Sequence, residues 1–366
     1  MYPDWLEPYR RAGVFDPVAS DAAERAAVIG WLQSRGLNAG EICTLLETDG
    51  VLDEFVDLVR ESAMTLSVAE MAERIGVGIA EIREVRLAAG LEPVPDDLPV
   101  YCEDDVAAFG VMVAGAEMFS WNELVAFIRV VGSSMARLTD AATALFLSNV
   151  ERPMRAAGAS PLDLARSTRS ANALAGDLNS VMEMMLRQHM DQSAERTRRA
   201  FAEAIERDLT APLAVGFVDL VGFTRATTEL GVDDLDALVA RFEALAHDTV
   251  TSLRGRLVKL IGDEVMYVAV DPDDGCRIAE ALLGAFGTDG SLTPRGGLAY
   301  GPVLSRAGDF FGATVNIAAR LVDVAVPGEV LITDDLGQLV QRRLLPAGRR
   351  LLRGFDEPIS VWSLTL

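Results

Sequence analysis

The chain has 366 residues, half of them hydrophobic, and a formal net charge of −22. That size leaves room for two or three domains around a sizeable core, and the hydrophobic half excludes a disordered chain. The charge excludes non-specific attraction to nucleic acid or anionic lipid, and a polyanionic nucleotide would need cations to mediate its contact. Cys43, Cys102 and Cys276 lack metal-ligand spacing and read as reduced thiols of a cytoplasmic protein. With His189 and His247 as the only histidines, neither a zinc site nor a His-based hydrolase is expected. Met1–Glu7 has no basic then apolar leader pattern, so no signal peptide is expected. The longest apolar run, Ala107 to Met118, contains Glu117 and falls short of the roughly 20 residues that span a bilayer, so no membrane span is expected either.

Residues 1 to about 209 read as successive helices, with apolar residues spaced i, i+3, i+4. Ala22–Gln33, Ala39–Leu46 and Asp53–Ser62 come first, then a close pair, Ser67–Ile75 and Ile79–Ala88. A linker marked by Pro93, Pro95 and Pro99 precedes the more apolar Trp121–Arg137 and Asp140–Asn149, and longer polar helices follow at Pro161–Arg187 and Met190–Leu209. Thr210-Ala-Pro212 closes this regime, because proline disfavours a helix at the residue before it. Short β-like runs then alternate with helices. Strands are expected at Leu213–Asp219, Arg256–Ile261, Val265–Val270, Arg295–Leu304, Glu329–Ile332 and Ile359–Leu364, and helices at Asp233–Leu253, Asp273–Phe286 and Val315–Val324. The order β-α-β-β-α-β is that of a ferredoxin-like split sheet, so the expected fold class is α+β. The expected domains are an all-α region (residues 1–189), a linker helix (190–210) and the mixed domain (211–366).

Of thirty-three basic residues only Lys259 is a lysine, four positions before Asp263. An ammonium is a compact, rotatable donor where a guanidinium is a planar fork. Asp219 ends an apolar run and precedes a Gly turn into a helix, where a carboxylate can hold a metal while turn amides hold phosphate. Asp263 sits in the Gly-Asp-Glu hairpin turn between the next two strands. Read singly, each acid is an ordinary turn aspartate. As a pair, in a topology that makes the first strand and the hairpin neighbours, they can share divalent cations beneath a nucleotide.

Three segments, Phe217-Val-Asp-Leu-Val-Gly-Phe-Thr224, Lys259-Leu-Ile-Gly-Asp-Glu264 and Gly308-Asp-Phe-Phe-Gly-Ala-Thr-Val-Asn-Ile-Ala-Ala-Arg320, resemble in order and spacing the motifs of class III nucleotidyl cyclases, over roughly residues 213–366. The resemblance implies that Asp219 and Asp263 hold two Mg²⁺ or Mn²⁺ ions per site. It places Lys259 and Asp309 at the base-reading positions; an ammonium and a carboxylate complement the N1 acceptor and N6 donor of adenine, so ATP is expected over GTP. It implies that Asn316 orients the ribose and that Arg320, on the same helix face at i+4, stabilises charge at the α-phosphate. The amides of Gly222, Phe223 and Thr224, with Arg295 and Arg353, would bind phosphate. In this family the site lies between two catalytic domains, so a homodimer with two complete sites is expected. The implied activity is an adenylate cyclase forming 3′,5′-cyclic AMP and pyrophosphate, controlled by the helical half as in soluble actinobacterial cyclases. A diguanylate cyclase is the rival enzyme, on the strength of Ile261-Gly-Asp-Glu264, but it lacks the Asn316 and Arg320 pair.

In the helical half, Ser67–Arg86 has the cadence of a helix-turn-helix. Glu81 and Glu84 beside Arg83 and Arg86, in an acidic chain, favour a structural helix pair; a DNA-binding regulator with a degenerate nucleotide-sensing domain is the alternative. The apolar residues between Ala107 and Asn149 read as core plus dimer interface, with a pocket for an apolar ligand such as a fatty acid as the second reading. His189, in the Met-rich stretch before the linker helix, is a candidate pH switch, against the plainer reading of an exposed helix histidine.

Overall fold

The computed structural model describes residues 2–34, 36–48, 64–202, 210–286 and 292–364. The expected helix at Asp53–Ser62 and residues 203–209 of the expected linker helix lie outside the described residues. The chain divides into two compact units, Met1–Leu186 and Arg187–Leu366.

In the first unit, α1 (Glu7–Arg11), α2 (Ala22–Ser34) and α3 (Ala39–Thr48) close on Leu6, Tyr9, Ile29, Leu32 and Ile42. The helix pair is α4 (Val68–Ile75) and α5 (Ile79–Ala88), beside a small ribbon of β1 (Leu66–Ser67) and β2 (Pro99–Tyr101). A reciprocal cap starts α4: the Ser67 hydroxyl accepts from the Glu70 amide and the Glu70 carboxylate accepts from the Ser67 amide. The cations a DNA reader would present are paired on the surface with partners in the same chain. Arg74 pairs with Glu103, Arg83 with Asp96, and Arg86 donates to the Glu92 carbonyl. α6 (Glu103–Gly115), α7 (Trp121–Phe146), a π-helical turn (Leu147–Glu151) and α8 (Arg152–Ala156) follow. Two helices were expected where α7 runs unbroken. Its polar residues do not end it, because the Ser134 and Thr139 hydroxyls donate to the carbonyls of Val130 and Met135 one turn back. The same correction applies to α9 (Pro161–Ala202), which is continuous through the stretch expected to divide it, where Arg187, Gln188 and Met190 all favour helix. No helix among the described residues is long and apolar enough to cross a membrane.

The second unit adds β3 (Thr210–Val221), α10 (Phe223–Glu229), α11 (Val232–Ser252), β4 (Arg256–Ile261), β5 (Glu264–Ala269), α12 (Pro272–Phe286), β6 (Thr293–Arg306), β7 (Asp309–Phe311), α13 (Ala313–Val324), β8 (Val330–Thr333), α14 (Asp334–Leu339), β9 (Leu344–Arg350) and β10 (Ile359–Leu364). The sheet order is β4-β5-β3-β6-β8-β10-β9, with β7 on β6; β6 and β8 run parallel and the other pairs antiparallel. β3 starts three residues earlier than expected and includes Pro212. It can do so because pairing with β5 begins only at Ala214, so no partner on that side needs the missing N–H.

One sheet face packs on α11 and α12 through Val218, Val265, Tyr267, Phe242 and Leu282. The other carries Phe217, Met266, Val268 and Ala299 beneath α13, with Ala200 of α9. Gly297 of β6 lets α13 lie close: a Cβ there would stand 2.5 Å from the Ala318 carbonyl oxygen. β4 carries a bulge. Leu257 opposes Tyr267 and Lys259 opposes Met266, so Val258 is the extra residue.

Candidate active site

Strand register brings together residues far apart in sequence. Asp219 of β3 stands opposite Glu264 of β5 on one side and Arg295 of β6 on the other. Alternation places all three on the face of Phe217 and Met266, beneath α13. Asp219 Oδ2 accepts from Arg295 Nε at 3.0 Å and Nη2 at 2.9 Å. Arg295, expected to bind phosphate, is therefore engaged by an acid expected to bind metal, and its Nη1 also donates to the Asp323 carbonyl.

Asp263 lies in the turn between β4 and β5, after Gly262. Burial pushes its carboxyl above the usual carboxylate range, against its own backbone hydrogen bond, and the charge of Asp219 adds to the rise. Glu264 is pushed up to about 7, first by burial and then by Asp219, Asp323 and Asp263. Four carboxylates thus gather about two guanidinium groups, Arg295 and Arg320, an excess of negative charge that favours a cation.

Lys259 Nζ donates to Asp309 Oδ2 at 2.5 Å, joining β4 to β7. Asp309 Oδ1 accepts from the Phe310 amide at 2.8 Å. Burial raises the Asp309 carboxyl, but Lys259 and the Phe310 amide outweigh it and hold it below its ordinary value. Asn316 is exposed in the first turn of α13, and Arg320, one turn on, pairs with Asp323 at 3.2 Å. Gly222, in the left-handed region at φ 97°, turns β3 into α10. Phe223 is buried against Phe242, so only its main chain is available to a ligand. Thr224 lies within α10. Arg353 stands exposed in the loop between β9 and β10, next to Leu352, which packs with Leu321 of α13. His189 is exposed on α9.

Residues 13–193 match the family model described as the adenylate cyclase regulatory domain. Over 332 residues the chain is 31% identical to a pH-sensitive adenylate cyclase of Mycobacterium tuberculosis, covering 86% of this chain and 79% of that one. This chain belongs to the adenylate cyclase family. It is also similar to an uncharacterised Mycobacterium tuberculosis protein, 29% identical over 96% of this chain and 92% of that one. An adenylate cyclase of Glutamicibacter nicotianae is 34% identical over 72% of this chain and 68% of its own length.

Cyclase catalytic domains use divalent cations, and the donors of this cyclase-family chain suit them: Asp219 and Asp263 offer hard carboxylate oxygens in an over-acidic cluster. Among the described residues no three His, Cys, Asp or Glu side chains are arranged to hold a metal between them, so further ligands would come from nucleotide oxygens or water. Sequence reasoning assigned no role to Glu264, Asp323 or Arg256. Glu264 was visible as the residue after Asp263, and Asp323 as the acid three residues after Arg320. Arg256 carried no signal, because regular alternation puts it on the opposite face from Lys259.

Proposed function

We propose that this member of the adenylate cyclase family converts ATP to 3′,5′-cyclic AMP and pyrophosphate. The observation that carries the reading is the Lys259–Asp309 pair, closed at 2.5 Å, on the sheet face that also bears Asp219. The strand order β4-β5-β3-β6 supports a ferredoxin-like βαββαβ catalytic domain over residues 211–366, joined by a linker helix (190–210) to an all-α regulatory domain (1–189). Lys259 donates to adenine N1 and Asp309 accepts from N6; guanine offers the reverse pattern and leaves both side chains unpaired. Asp219 and Asp263 would hold two Mg²⁺ or Mn²⁺ ions, which when bound offset triphosphate charge and favour ionisation of the ribose 3′-hydroxyl. Arg295 exchanges Asp219 for a phosphate oxygen, alongside the amides of Gly222, Phe223 and Thr224. Asn316 holds the ribose so that O3′ faces the α-phosphorus in line. As the O3′–P bond forms and the bond to pyrophosphate breaks, Arg320 stabilises charge on the α-phosphate oxygens and the hydroxyl proton passes to water.

The reading includes a homodimer in which one subunit supplies the acids and the other the base-reading and Asn316–Arg320 pairs. An exposed apolar stripe on α7 supports a partner: Phe127, Val131, Met135, Leu138 and Leu145 include a seven-residue repeat. Cys43, Cys102 and Cys276 are not joined in disulfides, which supports the cytoplasm. Regulation enters through the all-α domain. The relative named as pH-sensitive supports a proton as the signal, with His189 as its candidate receiver. An apolar ligand among α6 and α7 is the second regulatory reading.

The test mixes two inactive full-length chains, Asp219→Ala and Asn316→Ala, and measures cyclic AMP from ATP with Mn²⁺. The expected result is recovered turnover, from one intact site per heterodimer. Two well-folded single variants that regain nothing on mixing overturn the shared site, and a wild-type chain that makes no cyclic AMP overturns the activity.

A further inference from the structure

We propose that Arg256 is a positioning residue for base recognition, fixing the turn that presents Asp309 to Lys259. This rests on the reading of Lys259 and Asp309 as the base-reading pair.

Arg256 opens β4 three residues before Lys259. In a regular strand, residues three apart face opposite sides of the sheet. The bulge changes this: Arg256 opposes Val268 and Lys259 opposes Met266, two positions apart on β5, so both side chains stand on the α13 face. Bulges re-aim side chains in this way.

From there Arg256 meets both neighbours of Asp309. Its Nη2 donates to the Gly308 carbonyl at 2.7 Å, and its guanidinium lies 5.2 Å from the centre of the Phe310 ring. Arg306 and Asp309 pair across a two-residue turn, Ala307 at φ 53° and Gly308 at φ 80°. Two successive left-handed residues suit a hairpin, but an alanine there is strained. A charged donor on the Gly308 carbonyl holds this turn in the form that aims Asp309 at Lys259. Arg196 of α9 lines the same cavity of about 130 Å³ and repels the half-buried Arg256 guanidinium, while the charge of Asp309 attracts it toward the turn it holds.

The test measures ATP and GTP kinetics of full-length Arg256→Met and Arg256→Lys beside wild type and Lys259→Glu. In Arg256→Met the KM for ATP is expected to rise roughly tenfold, the size of one lost charge-assisted hydrogen bond, with a smaller change in kcat. The ratio of kcat/KM for ATP over GTP should narrow with it, because a loosened Asp309 neither accepts from adenine N6 nor rejects guanine O6 as firmly. Arg256→Lys keeps a charged donor and should recover part of the loss. A fall in kcat or in thermal stability with an unchanged ATP-to-GTP ratio, in either variant, assigns Arg256 a merely structural role and overturns the proposal. Failure of the underlying reading looks different: base preference would then not respond to Lys259→Glu either.

Discussion

Asp219 and Arg295 hold each other where cations and phosphate are expected, so each is occupied before nucleotide arrives. Arg295→Ala should therefore act in two opposed ways, freeing Asp219 for a cation while removing a phosphate ligand. We expect tighter Mn²⁺ dependence of turnover but weaker ATP binding, read as a lower metal midpoint and a higher KM. Replacing Lys259 by Glu together with Asp309→Ser should abolish the preference for ATP over GTP; an unchanged preference removes these residues from base reading. A third residue gives a prediction independent of catalysis. Cys276 is fully buried, and burial pushes its thiol up to about 12, so almost no thiolate exists near neutral pH. A thiol reagent should label Cys43 and Cys102 in the native protein and Cys276 only on unfolding, as peptide mapping would show.

At the scale of elements, close approach decides where the site's helix lies. Gly297→Ala would drive a methyl group against the Ala318 carbonyl and the Leu321 side chain. The expected cost is about 1–3 kcal/mol, read from the denaturant midpoint, with a loss of activity as α13 lifts Asn316 and Arg320. Much of this was legible in the sequence. The strands at Arg256–Ile261 and Ile359–Leu364 were read at their observed bounds, whereas β3 runs two residues past Asp219, the acid expected to end it, because Leu220 and Val221 still pair with β6. What stayed hidden were short elements whose stability comes from neighbours: three-residue β7 exists because it pairs with β6, and α10 because Phe223 is buried. Long helices were split where polar side chains cluster, since sequence does not show hydroxyls bonding back to their own helix. Arg256 was missed because a bulge breaks the period on which side assignments rest.

For the whole molecule, the proposed shared sites would require two chains, and α7 carries an exposed apolar stripe that suits such a contact. Val131→Glu with Leu138→Glu puts charges in that stripe, neither residue being buried. Sedimentation should show a shift from dimer to monomer and cyclic AMP formation should fall with it; a dimer of full activity would move the contact elsewhere. His189→Ala tests the regulatory half of the reading. The activity profile between about pH 5 and 8 should flatten if this imidazole receives the signal, and an unaltered profile removes it.

The extra residue in β4 makes a deletion safer than it would be in a regular strand. Without Val258, the rungs Arg256 with Val268, Leu257 with Tyr267 and Lys259 with Met266 become consecutive, and no flanking side chain changes sides. Shortening a regular strand by one residue turns half of it inside out; here the ladder absorbs the cut and Lys259 stays opposite Met266, within reach of Asp309.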